Sequence, residues 1–150
     1  MRDVDSETRV AIEQLVSELL WRLDHGHADT AWELYTEDAV TNGPLGTMEG
    51  RDAIKAWGLK RAAMTDVVGR HFIGGVRLAW VDDVLTGCIA YQTFRDSSAD
   101  PLVPASVGEF REEYRQVDGR WLIARREIVP IFGGSNAAAH AARLNTGITT

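Results

Sequence analysis

The side chains with the most chemistry to offer are the histidines, and one of them keeps unusual company. His71 heads the run Arg70-His71-Phe72-Ile73-Gly74-Gly75-Val76-Arg77-Leu78, which reads as the opening of a long strand carrying apolar Phe72, Val76, Leu78 and Trp80. A Gly-Gly pair inside a strand marks a bulge or a close backbone approach. A histidine three residues before it can titrate near neutral pH, which makes it a candidate for proton transfer. The plainer alternative is a core or edge histidine satisfied by a backbone carbonyl. Asp24, in Leu23-Asp24-His25-Gly26-His27, falls at the C-terminal end of an amphipathic pattern. The helix dipole disfavours a carboxylate there, so Asp24 is either a solvated turn residue or a group with a task. His25 and His27 form a His-x-His, but they do not share a helix face and no acidic or cysteine cluster completes a ligand set. No metal is expected. His140 lies in an alanine-rich tail with no evident partner.

Arg125 and Arg126 are adjacent in a strand-like run, so one must face each side. A buried arginine pairs with a carboxylate (Glu109, Glu112 and Glu127 are within reach) or binds an anionic group of a substrate or leaving group. Parity alone does not choose between the two, because a bulge would exchange them. Trp21, Trp57, Met64, Tyr91, Phe110 and Tyr114 could line an apolar chamber, although any one of them taken singly is more simply core. Asn42, on a short strand near the opening, could orient a carbonyl or hydroxyl.

The elements that position these groups follow from length and pattern. A chain of 150 residues, 45% hydrophobic and 25% charged, suggests one domain over 1–150 with a sizeable core. A formal net charge of −6 and the absence of any Lys/Arg cluster argue against a nucleic-acid partner. The lone Cys88 permits no internal disulfide, and its apolar setting suggests an inert thiol. The polar N-terminus is unlike a secretory signal and every apolar run is too short to span a membrane, so a cytoplasmic protein is expected.

Asp5 or Ser6 can cap a helix to about His25, with Ile12, Leu15, Val16, Leu19, Leu20 and Leu23 on one stripe. Gly26 stops it, and a second short helix from Asp29 or Thr30 through Tyr35 would complete a helical hairpin. Ala39–Asn42 reads as a short strand and Gly43-Pro44-Leu45-Gly46 as a turn. A third helix from Ala53 to about Met64 offers Ile54, Trp57 and Leu59 for burial. Four strands follow, at about His71–Val81, Val84–Arg95, Ser106–Val117 and Arg120–Ile131. Asp82-Asp83 and Asp118-Gly119 supply tight turns, and Ser97–Pro101 a longer connection. Helices first and a strand meander second argue for an α+β domain, a curved antiparallel sheet wrapped on the early helices around a cone-shaped hollow. Ala137–Leu144 reads either as a short helix that lids the hollow or as a frayed tail.

This plan resembles the SnoaL-like branch of the nuclear-transport-factor-two-like superfamily, a cystatin-like α+β barrel, over Thr8 to Phe132. The resemblance rests on Leu34-Tyr35-Thr36-Glu37-Asp38-Ala39-Val40, Glu49-Gly50-Arg51-Asp52-Ala53-Ile54, His71-Phe72-Ile73-Gly74-Gly75, and Asp118-Gly119-Arg120-Trp121-Leu122-Ile123-Ala124-Arg125-Arg126. The histidine stretch is similar to the strand that supplies a catalytic histidine in scytalone dehydratase, related dehydratases and a dehydrochlorinase. Those enzymes pair it with an aspartate at the end of the first helix, so the resemblance implies an Asp24–His71 dyad. Such a pairing would raise the histidine's pKa, because the charged form gains a partner. Scytalone dehydratase carries a second histidine on the following strand, and Thr93-Phe94-Arg95-Asp96 has none, which counts against scytalone as substrate.

The expectation is a cofactor-independent lyase of dehydratase type acting on a small apolar ring-bearing metabolite. No phosphate loop or dinucleotide fingerprint is present, so no cofactor is expected. The superfamily also contains isomerases, polyketide cyclases and non-catalytic ligand-binding members, and these remain open because fold alone decides little chemistry. An open apolar sheet face further suggests a homo-oligomer, dimer or trimer.

Overall fold

The structure, a computed structural model, describes residues 2–95 and 102–133. The connection expected at 97–101 and the helix expected over 137–144 lie outside the described residues.

Helix α1 (Ser6–Asp24) starts where the Asp5 side chain accepts a hydrogen bond from the Thr8 N–H at 2.8 Å. Its apolar stripe buries Ile12, Leu15, Val16, Leu19 and Leu20, and Gly26, at φ 83°, turns the chain away. The second helix of the expected hairpin is a 3₁₀ helix, Ala28–Leu34.

Strand β1 (Tyr35–Gly43) is longer than expected, and it pairs with β2 (Gly46–Glu49), a short edge strand in a segment whose glycines and proline read only as a turn. Helix α2 (Gly50–Ala62) begins three residues before the expected start. Ile54, Gly58 and Arg61 form its inward stripe, whereas Leu59 is 54% exposed and is not a core residue. Gly58 meets the 3₁₀ helix so closely that a Cβ would lie 2.2 Å from the Ala28 carbonyl oxygen.

Strands β3 (Gly69–Val81), β4 (Val84–Arg95), β5 (Ser106–Val117) and β6 (Arg120–Gly133) form the antiparallel meander. The Asp118-Gly119 turn has both residues at positive φ, as the tightest hairpin turns require. The sheet order is β2-β1-β6-β5-β4-β3, with β1 parallel to β6 and all other neighbours antiparallel. β2 and β3 are the two edge strands, β3 touched at Trp80 by an isolated bridge from Arg2, so among the described residues the curved sheet stays unclosed. The core fills the space between its inner face and the helices, where Ile12, Val16, Leu19, Leu85, Ile89 and Ile123 are almost fully buried. Among the described residues no helix is long and apolar enough to cross a membrane.

Two irregularities in the ladders bear on the site. The β3–β4 register shifts between Ile73 and Val76, placing the expected bulge at the Gly-Gly pair. The β5–β6 register shifts where Glu113 pairs with Arg125 but Tyr114 pairs with Ile123, leaving Ala124 as an extra residue. Before that bulge Ile123 faces the core; after it Arg126 does.

Candidate active site

A cavity of about 290 Å³ opens between α1, α2 and the inner face of the sheet. Leu19, Leu23, Ile54, Met48, Ile128 and Pro130 make most of its wall apolar, and His71 projects into it from β3. The end of α1 brings Asp24 against the start of β3, and one carboxylate holds the histidine at two points. Asp24 Oδ2 accepts the His71 main-chain N–H at 2.7 Å, and Oδ1 lies 2.6 Å from ring Nδ1. The Asp24 side chain is only 6% exposed and that of His71 13%. Arg70 Nη1 donates to the Asp24 carbonyl oxygen at 2.8 Å, tying the helix end to the strand.

The electrostatics of this pair run against the expectation of a raised histidine pKa. Burial is the largest influence and disfavours the imidazolium; the Asp24 hydrogen bond and charge favour it, but burial together with the positive charges of Arg95 and Arg126 outweighs them. His71 therefore lies below its ordinary value of 6.5. Burial raises the Asp24 carboxyl, but the hydrogen bonds and charge of His71, with that of Arg70, outweigh it and hold Asp24 below the usual carboxylate range. At neutral pH the pair is thus a carboxylate and a neutral imidazole. An ionised carboxylate can only accept, so the ring proton sits on Nδ1 and the lone pair on Nε2.

On the far wall, Arg126 (3% exposed) pairs with Glu112 (2% exposed) at 2.8 Å. They are direct cross-strand neighbours on β5 and β6. The Tyr114 hydroxyl donates to Glu112, and the Tyr35 hydroxyl bonds Arg126. Burial and the Glu112 charge push the Tyr114 phenol far up, so it remains a hydrogen donor. Burial alone would lower Arg126, but Glu112 and the two tyrosines keep its guanidinium charged. That guanidinium lies 3.9 Å over the Phe110 ring, whose neighbour Tyr91 is stacked on it at 4.1 Å.

Residues 4–127 match the family profile of the SnoaL-like domain. The chain belongs to that family. Structurally, this SnoaL-like chain is similar to a nuclear-transport-factor-two-like protein of cystatin-like fold from Novosphingobium aromaticivorans, at 26% identity and TM-score 0.73, covering 89% of this chain and 88% of that one. It is also similar to a candidate scytalone dehydratase from the same organism (21% identity, TM-score 0.70, covering 84% and 85%). A Mycobacterium tuberculosis protein of unknown function gives 21% identity and TM-score 0.76 over 93% and 85%. No curated protein matches the sequence.

Of the residues singled out from the sequence of this SnoaL-like chain, the cavity gathers His71, Trp57, Tyr91 and Arg126 on its wall, with Asp24 directly behind His71. Phe110 and Tyr114 are buried but stand behind the wall, where they support Arg126 and Glu112. Arg125 is exposed on the opposite side of β6, because the Ala124 bulge turns its neighbour inward. Asn42 is exposed and outside the lining, its Oδ1 accepting from Thr47 Oγ1 at 3.1 Å. Trp21, 49% exposed, also lies outside the cavity and stacks on the exposed rings of His25 and His27. Met64 does not reach the lining. Among the described residues no group of three or more metal-ligating side chains occurs.

Two charged lining residues escaped the sequence reading, Arg61 and Arg95. A signal for each was present. Arg61 continues the inward helical stripe of Ile54 and Gly58, and Arg95 continues the inward alternation Leu85, Gly87, Ile89, Tyr91, Thr93. A charged residue on an otherwise buried face is more informative than one on a solvated face.

Proposed function

We propose that this cavity is a lyase site of dehydratase type, in which His71 acts as general base on a small, largely apolar ring-bearing metabolite without a cofactor. The observation that carries the reading is the two-point hold of Asp24 on His71. It sets the ring orientation through the main-chain N–H and the tautomer through Nδ1, leaving Nε2 unprotonated at neutral pH. Nε2 would take a proton from the carbon beside the leaving group. The C–H electron pair becomes the new π bond as the leaving group departs with its own bonding pair. Where that group is a hydroxyl, the imidazolium just formed returns the proton and water leaves, so His71 ends neutral. Arg126 on the far wall would stabilise negative charge that develops on the substrate. General base catalysis contributes roughly 10²–10⁴-fold, and the apolar wall strengthens each of these electrostatic contacts.

The test is turnover of hydroxylated and halogenated ring compounds by the purified chain, read by mass and by appearance of a conjugated alkene. His71→Ala is expected to abolish elimination while leaving binding of the unreacted compound intact. Full turnover by that variant would refute the assignment. A product of unchanged mass would make the reaction an isomerisation or an intramolecular cyclisation by the same base, and binding without any turnover would make the chain a ligand-binding module. The exposed Phe72 (55%), Ile131 (55%) and Phe132 (69%) support a homo-oligomer as the working form.

A further inference from the structure

Three guanidinium groups border the cavity, and they are not equivalent. Arg126 is held in an ion pair with Glu112 at 2.8 Å. Arg61 and Arg95 have no carboxylate within ion-pairing distance among the described residues, although Arg61 is only 8% exposed. The two flank the same backbone position: a Cβ placed on Gly69 would lie 3.8 Å from Arg61 Nη2 and 3.6 Å from Arg95 Cγ. They feel each other's charge, which, after burial, is the main influence opposing ionisation of Arg95. Asp24 is the acid whose charge reaches both, but its two oxygens already hold His71. Arg95 Nε itself and Nε1 of Trp57, which lines the same cavity, are buried and lack partners among the described residues. Trp57 sits one helical turn before Arg61, so indole and guanidinium share a face of α2.

Arginine keeps its proton even when buried, so this pair cannot relieve its repulsion by neutralising itself. Two planar forks and an indole N–H on the wall of one apolar chamber match a planar anion with two oxygens. We propose that Arg61, Arg95 and Trp57 form an anion subsite that binds a carboxylate on the ring-bearing substrate and thereby sets which carbon faces His71. The inference rests on the cavity being the substrate site, and it narrows the substrate class to ring-bearing carboxylic acids.

The experiment is calorimetric titration of the full chain with cinnamate and with its neutral isostere cinnamamide, in wild type, His71→Asn, Arg61→Gln and Arg95→Gln. The wild type and His71→Asn are expected to prefer the carboxylate by at least about tenfold, and each arginine variant to lose most of that preference while still binding the amide. Equal affinity of wild type for the two probes, or a preference that survives in both arginine variants, would overturn the subsite. Because removing one of two repelling charges should not unfold the chain, thermal melts are expected to show no loss of stability in Arg61→Gln or Arg95→Gln. A collapse of both would mean that the arginines serve the fold rather than a ligand. His71→Asn separates this inference from the reaction: loss of turnover with preserved carboxylate preference supports both, whereas absent preference alongside His71-dependent turnover removes only the subsite.

Discussion

Replacing Asp24 by asparagine tests whether the dyad is a device for fixing a tautomer. The carboxylate accepts two hydrogen bonds, at 2.7 Å from the His71 main-chain N–H and at 2.6 Å from the ring. An asparagine amide of the same shape has one acceptor and one donor group. If its oxygen faces the ring, its NH₂ confronts the main-chain N–H, and two buried donors lose their partner at a cost of about 1–3 kcal/mol. If instead the oxygen faces the main chain, the NH₂ donates to Nδ1, and the ring proton must move to Nε2. The second arrangement satisfies both bonds and should win. Asp24→Asn is therefore expected to destabilise the fold by about 1–3 kcal/mol, the loss of charge assistance in two hydrogen bonds, while removing the basic nitrogen from the cavity. Turnover should fall by roughly 10²–10⁴-fold. Long-range ¹⁵N–¹H spectra of the ring, with the His71 signals assigned from their absence in His71→Asn, would show protonation exchanged from Nδ1 to Nε2. The His71 pKa should fall further still, since the carboxylate's hydrogen bond and charge are what raise it against burial. A ring that stays protonated on Nδ1 with an unchanged titration, or a variant with full activity, would refute this account.

The pH dependence of stability has a definite sign. His71 lies below 6.5 in the folded chain, so on acidification the unfolded chain takes up this proton first, and stability should fall as pH drops below 6.5 towards the folded value. Urea midpoints against pH should show that slope in wild type and a flatter one in His71→Asn, with the lowered Asp24 adding a further loss below about pH 4. Glu112→Ala strands the buried Arg126 and should cost about 3–5 kcal/mol by chemical denaturation, whereas Glu112→Leu combined with Arg126→Leu should recover much of it. Gly58→Ala, which forces a Cβ to within 2.2 Å of the Ala28 carbonyl oxygen, should lower stability by about 1–3 kcal/mol as the 3₁₀ helix is pushed from α2, read as a lowered melting temperature. Light scattering should find a mass above the monomer's, and Phe72→Glu should reduce it if that exposed ring is part of the contact.

Much of this arrangement was legible in the residues, and what escaped did so for identifiable reasons. The α1 stripe, the bounds of β4 and β5 and the irregularity at Gly74-Gly75 follow local patterns, and local patterns are what a sequence carries openly. Asp24 drew notice because a carboxylate at a helix C-terminus needs a partner, and His71 supplies two donors. β2 stayed hidden because four residues that begin on one glycine and run up to another have too little pattern to separate strand from turn. The choice between Arg125 and Arg126 depended on the Ala124 bulge, a tertiary adjustment with no local signature. The sign of the His71 shift was misread from the sequence because only the partner was visible there; burial, which dominates, emerges once the whole cavity is assembled. Arg61 and Arg95 sat in plain view on inward faces, obscured by the habit of assigning charge to the surface.

The parallel pairing of β1 with β6 has a consequence for how the molecule comes into being. The first strand completes its place in the sheet only against the last, with Tyr35 beside Ile123 and Thr41 beside Arg126. A ribosome releases β6 late, so Ile12, Val16 and Leu19 on α1 must wait, uncovered, while the intervening strands are made. Contacts between distant parts of a chain close slowly because the loop entropy is lost before the contact rewards it. The cavity is therefore among the last features to form, and a chain cut short before Arg126 would expose an apolar interior to its neighbours instead of offering a pocket to a ligand.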